Sequence, residues 1–152
     1  MLLACTVLSL STYALEPIPD CSGALNINNE DVLKWKTSTP NQFKARGHIE
    51  GTLQKTFKDK TGHKHWEIRI GDKSKDLIEL IYNEDFGRLP ESYIGMKIEA
   101  CGDYITSNKP TGNLPASPDG AIIHWVHISS TPKHPSGFVV VDGTVYGQHE
   151  QQ

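Results

Sequence analysis

From residue 43 onward, apolar and polar positions alternate in short runs, and those runs predict strands. "FKARGHIEGTLQKTF" (43–57) is a long run interrupted by Gly47 and Gly51, which suggests a bulge or a sharp coil. In "HKHWEIRIG" (63–71), Trp66, Ile68 and Ile70 fall on one face and His65, Glu67 and Arg69 on the other. "DLIELIY" (76–82), "MKIEACGDYI" (96–105) and "GAIIHWVHIS" (120–129) predict three more strands, and "GFVVVDGTVYG" (137–147) a hairpin turning at Asp142-Gly143. The segments between them are turn-rich, and "NEDFGRLPESYIG" has room for one short helix. Before residue 43, "EDVLKWKTS" predicts one or two helical turns ahead of Pro40.

Three strands, a helix-sized connector and two further strands give the order of an OB-type fold. The expectation is an all-β protein, an OB-like small β-barrel with a short N-terminal helical arm. Closing the sheet removes the edges that so many short strands would otherwise expose. An irregular β-sandwich is the alternative. The expected divisions are a leader over 1–14, an arm over 15–42, the barrel over 43–147 and a tail over 148–152. At 152 residues the chain is long enough for one domain with a single core.

The opening "MLLACTVLSLSTYA" carries no charge and is too short and too polar at its end to span a bilayer. It reads as the apolar part of an export signal, with Thr12 and Ala14 before a cut at Leu15. The positive segment that usually comes first is missing, so the leader is atypical or the true start lies upstream. "LLAC" also resembles a lipoprotein box, a weaker reading, and an N-terminal core element is the plain alternative. Removing the leader takes Cys5 away and leaves Cys21 and Cys101, a pair that can bridge in an oxidising compartment or stay as two thiols. The expected location is periplasmic or extracellular, with no membrane span in the mature chain.

A net charge of −3 gives no general attraction to nucleic acid or anionic membrane, so any such site must be local. Three groups of residues carry candidate chemistry. His124, His127 and His134 lie within "HWVHISSTPKH" and, with His65, could supply ligands to a divalent metal, the one cofactor considered. Strand alternation sets His124 and His127 on opposite faces, so a bulge at Trp125–Val126 would be needed to unite them. The plain alternative is a pair of core histidines around a packed Trp125. "YNEDFGR" places Glu84, Asp85 and Arg88 where they could hold a hard cation or polarise a phosphate, or form a solvated turn capped by Asn83. "KTFKDKTGHKHW" sets Lys58, Lys60 and Lys64 around Phe57 and Trp66, where a single-stranded nucleic acid could be gripped. Against that, Trp66 belongs to the apolar face and hairpin lysines are usually just solvated. Gly-x-Ser-x-Gly, phosphate-cradling glycine loops and Cys-x-x-Cys are all absent from the sequence.

"IYNEDFGRLP", "GMKIEACGDY", "GAIIHWVH", "HPSGF" and "DGTVY" together resemble a family of small exported bacterial proteins of unknown function, over about residues 45–147. Its pattern runs Asn-x-Asp, Gly-Asp/Glu-Tyr, Ile-His-Trp-x-His, a further His, Gly-aromatic and a C-terminal Tyr. The matching positions are His65, Asn83, Asp85, Gly102, Tyr104, His124, Trp125, His127, His134, Gly137 and Tyr146. Where many relatives carry His and Asp after the last motif histidine, this chain has Ile128, Ser129 and Ser130. The resemblance implies an OB-like barrel behind a signal peptide and no particular activity. The leading expectation is an exported binding module for a small molecule, saccharide or oligonucleotide, with Lys58, Lys60, Lys64, Asn83, Arg88 and Tyr104 as ligand contacts. A metal-dependent phosphodiesterase or nuclease using His65, Asp85 and His127 is the second, and a secreted or envelope protein-interaction module the third.

Overall fold

The computed structural model describes Cys21 and residues 25–149. The expected leader, part of the arm expected over 15–42 and the end of the tail lie outside these residues. One helix, α1 (Asn29–Ser38), precedes seven strands: β1 (Lys44–Thr56), β2 (His63–Arg69), β3 (Leu77–Asn83), β4 (Lys97–Thr106), β5 (Ala121–His124), β6 (Phe138–Val141) and β7 (Thr144–Tyr146). Pairing runs β1-β2-β3-β5-β4 and returns from β4 to β1, with only β3 and β5 parallel. This closed circuit of five strands is the OB arrangement, and β6 and β7 extend it. The connector between β3 and β4 holds only a 3-10 turn, Glu84–Phe86.

β1 can serve two neighbours because it coils. Lys44–Thr52 pair with β4, and from Thr52 the strand moves on to β2, with a register irregularity between Leu53 and Lys55. Gly51 sits at the changeover, where an added Cβ would collide with the Arg69 carbonyl. Inward positions close the core as alternation predicts: Trp66 and Ile68 from β2, Ile78, Leu80 and Tyr82 from β3, and Ile98, Ala100 and Tyr104 from β4 are all buried. Burying each large side chain contributes roughly 1.5–3 kcal/mol, which is what holds so strand-rich a chain closed. α1 is longer than the one or two turns expected. It plugs one end of the barrel with fully buried Val32 and with Trp35, whose ring lies 5.3 Å from that of Tyr104. Asn28 and Asn29 tie its start to β1, accepting from His48 N at 2.8 Å and donating to Glu50 O at 2.8 Å.

β4 uses its second edge twice. Asp103–Thr106 pair with β5, and Ile98–Cys101 pair with β6. The strand expected over 120–129 therefore ends at His124, because β6 takes the remaining edge and the chain between must leave the sheet. Cys21 and Cys101 form the expected bridge, with Cα atoms 5.9 Å apart, and pack with Phe138 and Val140.

The bridge closes a loop across 80 positions, so its loss should lower unfolding free energy by about 2–4 kcal/mol. Denaturant unfolding of a Cys21→Ala/Cys101→Ala variant checks this. A Cβ at Gly137 would overlap the Cys101 and Trp125 carbonyls, both backbone atoms that cannot swing aside. Gly137→Ala should cost about 1–3 kcal/mol in the same measurement.

Candidate functional site

The chain between β5 and β6 makes a compact excursion from one end of the barrel, its two feet nearly touching. Trp125 turns it out of the sheet with a left-handed φ of 55°, uncommon for so bulky a residue and held only where the surroundings over-determine it. Gly137 brings it back, donating N–H to His127 O at 2.7 Å. Gly102 lets β4 pass beneath, because a Cβ there would meet the His124 carbonyl and lie 2.6 Å from Val126 Cγ1. Arg46 anchors the far side, donating to Asp103 Oδ1 at 2.8 Å and to the Ser136 carbonyl. Ile128 N donates to Gly147 O at 2.7 Å, fixing the outer arm.

This turn-out answers the alternation problem. His124 remains on the strand, while His127 and His134 belong to the excursion, and the rings meet around Trp125. The indole stacks on His124 at 4.6 Å and on His134 at 4.3 Å between centroids. His127 stands edge-on to His134 at 6.0 Å and stacks on Phe86 at 3.6 Å. His63, from the start of β2, lies edge-on to His124 at 6.1 Å. His127 Nδ1 donates to the Ile128 carbonyl at 2.7 Å, which fixes the orientation of the ring. Burial, and then the neighbouring imidazoles led by His63, push His124 down to about 4.

Beside the ring array is a cleft of about 290 Å³. Phe86, Trp125, His127 and His134 wall it, and Asn83, Ser129, Ser130 and Thr131 give its edge amide and hydroxyl groups. The lining contains no carboxylate, lysine or arginine. Along the outward face of β2 and β3 the chemistry changes. His65 Nδ1 lies 2.7 Å from Glu79 Oε1, and Glu79 stands directly opposite Glu67. This is the face on which OB folds commonly bind strands of nucleotide or sugar, and here it carries His65, Glu67, Arg69 and Glu79.

Comparison of the chain with protein-family models, curated proteins and solved structures returned no match. The site is therefore judged on its own geometry.

His124, His127 and His134 come together, as a stacked array. Among the described residues, no three His, Cys, Asp or Glu side chains are placed to hold a metal ion. His65 is drawn away by Glu79, and Asp85 is exposed on the 3-10 turn that Asn83 caps at 3.0 Å. Arg88, Lys58 and Lys60 are exposed, while Lys64 pairs with Asp59 at 2.5 Å. Tyr104 corrects an expectation. It is wholly buried, with its hydroxyl 2.9 Å from Thr106 Oγ1, because β4 alternation turns it inward, and a surface ligand cannot reach it. Sequence reasoning missed His63 and Phe86. His63 is two positions from His65 on the same outward face, a signal that was available; nothing local marks Phe86.

The depressed value for His124 has a signed consequence. The unfolded chain takes up its proton near 6.5 and the folded one only near 4, so stability is full above about pH 6.5 and drains as pH falls towards 4. The His124 share of that loss should approach about 3 kcal/mol. Urea unfolding of the protein and of His124→Phe, which keeps a ring without the proton, checks it: the change between pH 7 and pH 4 should differ between the two by that amount, since the opposite contribution of Asp119 is common to both.

Proposed function

We propose that this is an exported OB-like binding module whose cleft beside Trp125 receives an uncharged, hydroxyl-rich ring, such as one unit of a neutral saccharide. The lining of the cleft carries the reading. Amide and hydroxyl groups suit a ligand that both donates and accepts hydrogen bonds, and the aromatic walls suit its apolar C–H faces. A volume of about 290 Å³ matches one ring and its immediate substituents rather than an extended chain. Because the indole already stacks on two imidazoles, it acts as a rigid wall, and a preorganised wall lowers the entropy lost on binding.

The pairing of the basic groups on the outward face weighs against the oligonucleotide alternative: Lys64 is held by Asp59 and His65 by Glu79, which leaves Arg69 to meet phosphates there. Export is supported by the Cys21–Cys101 bridge, by the uncharged apolar opening of the sequence and by the family resemblance. No helix among the described residues is long and apolar enough to cross a membrane.

Amide-detected NMR titration with a panel of neutral mono- and disaccharides, and with a single-stranded oligonucleotide at low salt, tests the proposal. Shifts should be confined to residues 83–86 and 125–134 and appear with a sugar. Phe86→Ala should weaken that sugar by about tenfold, or 1.4 kcal/mol. Salt-sensitive oligonucleotide binding, or no response from those residues to any sugar, would overturn it.

A further inference from the structure

Away from the cleft, the segment 107–120 between β4 and β5 ends in a buried carboxylate. Asp119 is only 9% exposed, and its Oδ2 is sealed from solvent without a hydrogen-bond donor. What faces it is more negative charge. The Glu67 carboxyl of β2 is its side-chain hydrogen-bonding neighbour, and Glu79 of β3 adds to the repulsion. Among the described residues, the cation acting on it is Lys36 of α1, whose ammonium donates to the Leu77 carbonyl at 2.6 Å and the Lys75 carbonyl at 3.2 Å. His65 is held by Glu79. Two ionised carboxylates in contact repel strongly in a dry setting, while a carboxyl and a carboxylate attract through one short hydrogen bond.

We propose that Glu67 and Asp119 share a single proton, and that this proton latches the segment 107–120 onto the outward face of β2. One donor then satisfies the otherwise stranded Oδ2. The latch is a pH-sensitive clasp at the opposite end of the β2–β3 face from the ring array, and it does not depend on what the cleft binds. Burial, and then Glu67 and Glu79, raise Asp119 from an ordinary 3.8 to about 6.

Below about pH 4 the proton is bound whether the segment is closed or open, so closure is strongest there. As pH rises from about 4 to about 6 the open form loses its proton while the closed form keeps it, and closure weakens about tenfold per unit, roughly a hundredfold in all. The backbone offers the readout. Ser107 N donates to Gly120 O at 2.9 Å, Ser117 N to Ser107 O at 2.9 Å and Gly120 N to Ser117 O at 3.1 Å.

Hydrogen exchange at those three amides, corrected for intrinsic rates, should show protection falling by about two decades between pH 4 and pH 7. Amides in β1 and β4 serve as the reference for global stability. In Glu67→Gln the side-chain amide supplies a donor at every pH, so the dependence should flatten. Carbon-detected titration of the Asp119 carboxyl gives a reading independent of the variant. Protection that does not change with pH, or a Glu67→Gln variant with the parent's pH dependence, would overturn the proposal. So would recovery of protection at pH 7 on adding calcium, because the space would then belong to a cation.

Discussion

The close backbone crossing at Gly102 and Gly137 is the constraint on which the site depends. β4 gives one edge to β1 and must divide the other between β5 and β6, so the chain has to leave the sheet at His124 and return at Phe138. That exit and return stack three backbone layers where only glycine fits, against the carbonyls of Cys101, His124 and Trp125. Once the feet are pinned, the residues between them can only fold over the barrel end. The rings gather there as a consequence. The imidazole array is less a motif in sequence than a product of where one strand is made to stop.

The same barrel explains why the two ends of the β2–β3 face differ. Strand alternation sends His63, His65 and Glu67 outward together, and β3 answers with Asn83, Ile81 and Glu79 in register. Near His63 the excursion supplies aromatic cover, and burial there favours the neutral form of His124. Near Glu67 the cover comes from a turn ending in Asp119, which brings another acid. Each end therefore holds groups that burial drives towards neutrality, His124 by keeping a proton off and Asp119 by keeping one on.

Much of the barrel is legible in the sequence because alternation and burial report the same thing. Trp66, Ile68 and the Asp142-Gly143 turn fall where the pattern places them, and Cys21 and Cys101 do bridge. The end of β5 is not legible, since "AIIHWVHIS" alternates well past the point where pairing ceases. Only competition from β6 for the same edge stops it, and that competition is invisible locally. Tyr104 shows the reverse error: a polar tip suggests a ligand contact, yet the alternation of β4 already points the ring inward. Asp119 meets Glu67 through tertiary structure alone, and "SPDG" reads as an ordinary turn.

The position of the disulfide closes the physical account. Cys101 is bonded to Cys21 and pairs with Phe138, immediately beside Gly102 and Gly137. The covalent tie thus lands on the crossing itself, where its carbonyl also bounds the space that Gly137 must leave empty. An arm fastened elsewhere on the barrel would add stability without touching the excursion. Fastened here, Cys21 packs with Cys101, Phe138 and Val140 over the pairing of β4 with β6, beside the place where the chain re-enters the sheet. The oxidised pair and the foot of the excursion are therefore neighbours in one small cluster.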